Sequence, residues 1–156
     1  MDYSKSKPII SDYQRLLRYR DLLINGIQLN QDLIRINQSK INRIIEKINT
    51  NEQMKESNEN RLNQLLIQEK QLLSMKNRPL GTISTLNHQI QNCSSLIHEQ
   101  DEHIKELLQE LEQYQHDIDA YKQENASSLE YIQKINEEIE NINNKPQMEF
   151  KYQVLK

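Results

Sequence analysis

The sequence predicts an all-α fold, an elongated antiparallel helical hairpin or coiled coil with a short extended segment at its C-terminus. Two heptad runs of about sixty residues each, between Tyr13 and Ile142, are the first observation. The second is a break between them that combines proline and glycine. The third is charge: residues 1–76 hold 13 basic and 9 acidic residues, net +4, whereas residues 77–156 hold 7 and 14, net −7. Two helices of opposite charge attract each other when the chain folds back.

Composition favours long helices over a compact globular core. Only 35% of the 156 residues are apolar, and the chain has two glycines and three prolines. No apolar stretch approaches the roughly 18 residues of a membrane span. The single cysteine, Cys93, stands among apolar residues, which predicts a buried thiol in a reducing compartment. We therefore expect an intracellular protein, cytoplasmic or nuclear, without a membrane span.

The first helix is predicted over residues 11–76, after a flexible segment at residues 1–10. Ser11 and Gln14 match the capping box, in which each side chain satisfies a backbone amide of the first turn. With Tyr13 at heptad position a, eleven of the nineteen a and d residues are apolar. The neighbouring e positions add a second apolar column, called the e column here, so the apolar stripe is wider than two helices need. We expect the e column to bind other helical subunits, in a homo-oligomer or a hetero-oligomer. Its members are Leu17, Ile24, Ile45, Leu66 and Leu73.

The second helix is predicted over residues 83–144, after a turn at residues 77–82 that contains Pro79 and Gly81. Counted from Ile83 at position a, fifteen of its eighteen a and d residues are apolar, which is typical of a coiled coil. One continuous kinked helix is the alternative, since Lys76 and Ile83 keep the heptad spacing across the break. Proline costs ~3 kcal/mol and glycine ~1 kcal/mol inside a helix, which favours the hairpin.

Polar residues at core positions predict how the two helices are aligned, because a buried polar group needs a partner. If facing a and d residues have numbers that sum to 155, Asn30 faces Asn125 and Lys55 faces Gln100. A shift by one heptad is the alternative, in which Asn37 faces Asn125.

After Pro146, apolar and polar residues alternate, which is typical of a β-strand. We expect residues 145–156 to form an extended tail, and residues 147–155 to add as a strand to a β-sheet of a partner. A frayed terminus is the alternative. The apolar side of this strand consists of Met148, Phe150, Tyr152 and Val154.

The sequence does not favour catalysis, and it predicts no catalytic residue, cofactor site or metal site. Two glycines cannot build a phosphate-binding loop. His98 and His103 are five residues apart, off the i, i+4 spacing of metal ligands on a helix. The basic residues of the first helix are interspersed with acids and lack interleaved aromatic residues, so the pattern does not favour nucleic-acid binding.

These features are typical of a protein that joins other proteins. We expect a non-enzymatic structural coiled-coil subunit that scaffolds or tethers components of a larger hetero-oligomeric complex. Cytoskeletal, kinetochore-like and vesicle-tethering complexes are analogies at the level of the fold only. A prefoldin-like holdase chaperone subunit is one alternative, although six turn residues are too few for the β-hairpin that it needs. A nucleic-acid-associated coiled-coil protein is the other.

Overall fold

The chain is an all-α helical hairpin. The computed structural model describes the backbone of residues 7–154 and the side chains of residues 12–144. Its two helices, α1 (Lys7–Leu73) and α2 (Leu80–Val154), pack against each other, and the described residues contain no strand. The predicted hairpin is confirmed, and the break between the helices excludes one continuous helix.

The reversal between α1 and α2 lies at residues 74–79, slightly before the predicted turn. At the end of α1, the Ser74 N–H donates to the Lys70 carbonyl at 3.2 Å. α2 begins where the Pro79 carbonyl accepts a hydrogen bond from the Ile83 N–H at 3.0 Å. Proline suits the start of a helix, where its missing N–H costs no helical hydrogen bond. Gly81 therefore belongs to the first turn of α2 rather than to the predicted loop, and its φ is not positive.

The outer ends of both helices extend past the predicted limits. α1 begins at Lys7 rather than Ser11, because Pro8 in a first turn removes an N–H that has no partner within the helix. α2 continues to Val154, which corrects the predicted extended tail at residues 145–156. A strand satisfies its backbone only beside another strand, whereas a helix satisfies its own, so a chain without a sheet favours the helix. Pro146 costs α2 one backbone hydrogen bond.

Residues 38–115 form one of two packing units. Its core consists of a and d residues, because these positions lie along the strip where two helices meet. Pairs within one cluster, such as Ile48 and Leu107, have numbers that sum to 155. One cluster contains Ile44, Ile48, Ile104 and Leu107, with Leu111 and Tyr114 packed against it, and the other contains Leu65, Leu86 and Cys93, with Leu62, Leu72, Ile90 and Ile97.

Residues 1–37 and 116–156 form the other packing unit, of which the side chains of residues 12–37 and 116–144 are described. α2 contributes the buried apolar residues Ile118, Ile135 and Ile139. Within residues 12–37 of α1, only Asn30 and Asn37 are buried, while the apolar a and d residues are half-buried or exposed. Packing against α2 alone therefore leaves this part of α1 incompletely covered.

A hydrogen bond between two core amides selects one of the two predicted alignments. Asn30 Nδ2 donates to Asn125 Oδ1 at 2.9 Å, as expected when facing numbers sum to 155. Pairing Asn37 with Asn125 instead would need a shift of one heptad, about 10.5 Å along the helix. Arg20 at a neighbouring core position agrees with the same alignment, since its Nη1 donates to Asn136 Oδ1 at 2.8 Å.

Replacing Asn30 by Leu alone should lower the free energy of unfolding by about 1 to 3 kcal/mol, because the Asn125 amide loses its partner. The double variant Asn30→Leu, Asn125→Leu should recover most of that loss, because both polar groups leave the core together. Urea denaturation followed by circular dichroism measures each free energy. Single losses that simply add in the double variant would contradict the pairing.

Candidate helix-docking surfaces

The e column of α1 lies beside the strip that contacts α2 and is only partly covered. In the packing unit of residues 38–115, Ile45, Leu66 and Leu73 are 42%, 44% and 40% exposed. In the other unit, Ile24 is 38% exposed and Leu17 is half-buried. Single exposed apolar residues are ordinary on a protein surface, but a set at one heptad position marks a side suited to another helix.

The e positions of α2 carry exposed apolar residues as well, which the sequence analysis missed. In an antiparallel pair the e positions of both helices lie on one side of the contact, so Leu108 shares its side with Ile45. Leu80 shares that side with Leu73 in the same way. Both α2 residues are exposed, Leu108 by half and Leu80 by three quarters. The e side of residues 38–115 therefore offers apolar side chains from both helices.

The predicted strand residues of the C-terminal segment lie outside the residues whose side chains are described. The backbone there belongs to α2, as given above. Binding to a β-sheet of a partner stays a prediction for the side chains concerned, which are Met148, Phe150, Tyr152 and Val154.

A layer of polar side chains interrupts the core of residues 38–115. Asn58 Nδ2 donates to Gln100 Oε1 at 3.2 Å, and the Cys93 thiol donates to the Asn58 carbonyl at 3.1 Å. Gln100 thus receives a hydrogen bond from an amide one turn beyond Lys55, the residue predicted to face it. The physical reason is the stronger partner available to the ammonium group, which forms an ion pair with the Asp101 carboxylate.

Lys55 lies at the edge of this polar layer and is bound to α2 by charge. Its Nζ contacts Asp101 on α2 and lies 3.8 Å from Glu59 Oε1 on its own helix. The hydrogen bond that Lys55 donates to the Asp101 carboxylate raises the pKa of Lys55 above its usual value, and the negative charges of Asp101, Glu59 and Glu52 act in the same direction. Partial burial opposes these effects without cancelling them.

Features of the described part of the chain bear on the predictions about metal sites, histidines and membrane spans. Within it there is no group of three or more His, Cys, Asp or Glu side chains placed to hold a metal ion. His98 and His103 are both exposed. Among the same residues, no helix combines the length and the apolar character needed to cross a membrane.

A further set of exposed apolar residues lies at heptad position c of α1, in the unit that contains residues 12–37. Leu22, Leu29 and Ile36 are seven residues apart and are 68%, 60% and 51% exposed. Sequence analysis passed over them because position c is counted as an outer position in a two-helix coiled coil. Their seven-residue spacing was the signal that could have identified them.

Comparisons with known proteins do not assign the chain to a family: no family model, no curated protein and no solved structure matches it. The two apolar sides of the hairpin and its polar contacts are therefore the features that bear on its function.

Alkaline pH should remove the contribution of Lys55 to stability. Its pKa is higher in the folded chain than the ordinary 10.5. The folded state therefore holds this proton more tightly, and the resulting stabilisation is complete below pH 10.5 and is lost as the pH rises through the raised pKa. The difference in unfolding free energy between the wild type and Lys55→Met should be constant near neutral pH and should shrink above pH 10.5.

Urea denaturation at a series of pH values measures this difference. In an Asp101→Asn background the pH dependence should be weaker, because the carboxylate is the main cause of the raised pKa. The same alkaline change in both backgrounds would contradict the assignment to Asp101.

Proposed function

We propose that this protein is a non-enzymatic structural subunit that scaffolds or tethers components of a larger complex through helix packing. The observation that carries the proposal is the partial exposure of apolar e residues in residues 38–115, where a and d residues of both helices already form buried clusters. A hairpin complete in itself would have polar side chains at these positions.

The geometry of the e side fits a helix as the partner. Ile45, Leu66 and Leu73 lie on one side of α1, and the e positions between Ile45 and Leu66 carry Glu52 and Glu59. A helix lying along that side contacts these residues in turn. Full burial of a Leu or Ile contributes about 1.5 to 3 kcal/mol, so covering their remaining exposed fraction contributes on the order of 1 kcal/mol each. In residues 38–115 this applies to Ile45, Leu66, Leu73, Leu80 and Leu108.

The polar edge of this surface also constrains the partner. The b positions next to the e column are exposed and carry Asn42, Asn49, Glu56, Asn63 and Lys70. Lys70 lies between Leu66 and Leu73 along α1. A partner helix with a basic residue opposite Glu56 and an acidic residue opposite Lys70 would meet no like charge at these positions.

A triple variant tests the proposal in the cell that makes the protein. Ile45→Glu, Leu66→Glu and Leu108→Glu together place charges on the e side, so chains that co-purify in stoichiometric amounts with the tagged protein should be lost. The expected loss is at least about tenfold, since burying even one unpaired charge weakens an interface by more than 1.4 kcal/mol.

The matched control adds three charges elsewhere, as Gln53→Glu, Gln64→Glu and Gln109→Glu, at exposed c and f positions. It should retain the co-purifying chains, and circular dichroism should show unchanged helicity in both variants. Recovery of the same chains at the same ratio with the e-side variant would reject the proposal, as would the absence of any stoichiometric partner of the wild type.

A further inference from the structure

The exposed c residues of α1 belong to a second heptad seam. They alternate with g residues at spacings of three and four, the spacing of a coiled-coil core. Tyr19 is 48% exposed and Leu33 half-buried, so the seam is largely uncovered. In order, the seam contains Tyr19, Leu22, Gly26, Leu29, Leu33 and Ile36. We call it the g/c seam.

Gly26 makes a hole in the middle of the g/c seam. A Cβ atom built on this glycine would meet no atom within 4 Å beyond its own helix, so the space above it is open. Leu29 projects one turn further along the same seam and is 60% exposed. A large residue and an adjacent hole on one surface are the two halves of a knob-into-hole contact.

We propose that the g/c seam binds the g/c seam of a second copy of this chain, with the two α1 helices antiparallel. A two-fold axis between Gly26 and Leu29 then brings together residues whose numbers sum to 55. Leu29 of each copy fills the hole at Gly26 of the other. Leu22 of one copy faces Leu33 of the other, and so every apolar residue of the seam meets an apolar residue or the hole.

Size favours this direction over a parallel one. A parallel pair would place Gly26 opposite Gly26 and leave the hole empty. In the antiparallel pair Asp32 faces Asn25, whose amide can donate to the carboxylate.

The same two-fold axis produces complementary contacts on α2. Within one hairpin, a g residue of α1 lies beside the g residue of α2 whose number brings the sum to about 157. Between the two copies, facing α1 residues have numbers that sum to 55. Together these two rules make α2 residues of the two copies face each other when their numbers sum to about 259. The g and c residues of α2 form pairs that sum to 258. Glu124 then faces Lys134 of the second copy, and Tyr131 faces Ser127. The axis was placed from α1 alone, so this match of opposite charges and of large with small is independent support.

The α1 and α2 residues that would meet in the dimer are exposed, and their area is sufficient for a small specific interface. Tyr131 is 52% exposed, and Lys134 Nζ lies 5.6 Å from its ring centroid. An open groove of about 450 Å³ lies at the end of the seam, with Tyr19 and Glu138 in its wall. The exposed part of the g/c seam amounts to roughly 500 Å² per copy, so the dimer buries on the order of 1,000 Å², the lower range of specific interfaces.

Self-association of the purified full chain tests the dimer without any other protein, and so separately from the proposed function. Sedimentation equilibrium should show a concentration-dependent dimer, which Leu29→Glu weakens at least about tenfold because an unpaired charge enters the seam. The control Leu129→Glu changes a residue that is 57% exposed in the same unit but lies at position e. It should leave self-association unchanged. A wild-type monomer at about 100 μM, or equal dimerisation of Leu29→Glu, overturns the proposal.

Gly26→Leu should stabilise the monomer and weaken the dimer. Within one chain the new side chain meets open space and leucine favours the helix, so the melting temperature of the monomer should rise. In the dimer the hole is filled, so Leu29 of the second copy is displaced and self-association should fall at least about tenfold. Unchanged or tighter self-association of this variant overturns the proposal.

Disulfide cross-linking of introduced cysteines tests whether the two α1 helices are antiparallel. It does not require charged variants, which can fold poorly for other reasons. In a Cys93→Ala background, Asn25→Cys combined with Asp32→Cys should give a covalent dimer on oxidation, because these positions face each other across the axis. Leu22→Cys alone should not, because position 22 faces position 22 only in a parallel pair. Efficient cross-linking of the single variant would show a parallel pair, and no cross-linking of the double variant would remove the interface; either result rejects the proposal.

Discussion

Two helices can shield only the strip along which they meet, and this limit governs the whole molecule. The a and d residues of α1 and α2 occupy that strip, and in residues 38–115 they form the buried clusters. Apolar residues on either side of the strip stay partly in water however well the hairpin packs. The exposure of Leu66 on the e side and of Leu29 on the g/c side follows from this geometry. Further helices are the simplest way to cover such residues.

Polar core residues give this hairpin its alignment. Seams made mostly of Ile and Leu pack acceptably in several registers, because one apolar layer resembles the next. The hydrogen bonds between Asn30 and Asn125, and between Asn58 and Gln100, are satisfied in one register only. Amides in a core stabilise less than leucines would, and in exchange they penalise every shifted register by leaving polar groups without partners.

The features that the sequence predicted well are those set by a repeating pattern. The two helices and the Asn30 to Asn125 pair follow from heptads and from the need of a buried amide for a partner. Gly81 was predicted in the turn because glycine costs ~1 kcal/mol inside a helix, but α2 begins at Leu80 and includes it. The ion pair of Lys55 with Asp101 was not predicted, because the long lysine side chain reaches beyond Gln100, the residue that faces it in the heptad pattern. The exposed c residues of α1 and e residues of α2 escaped because, besides the a and d positions, only the e positions of α1 were considered.

Cys93 is 4% exposed, belongs to the buried cluster of Leu65 and Leu86, and donates its thiol hydrogen to the Asn58 carbonyl. An alkylating reagent can reach its sulfur only when the two helices separate locally. The chain thus carries a native reporter of breathing in this half of the hairpin. At reagent concentrations where alkylation outpaces reclosing, the rate at which the thiol reacts gives the frequency of opening, with no residue exchanged.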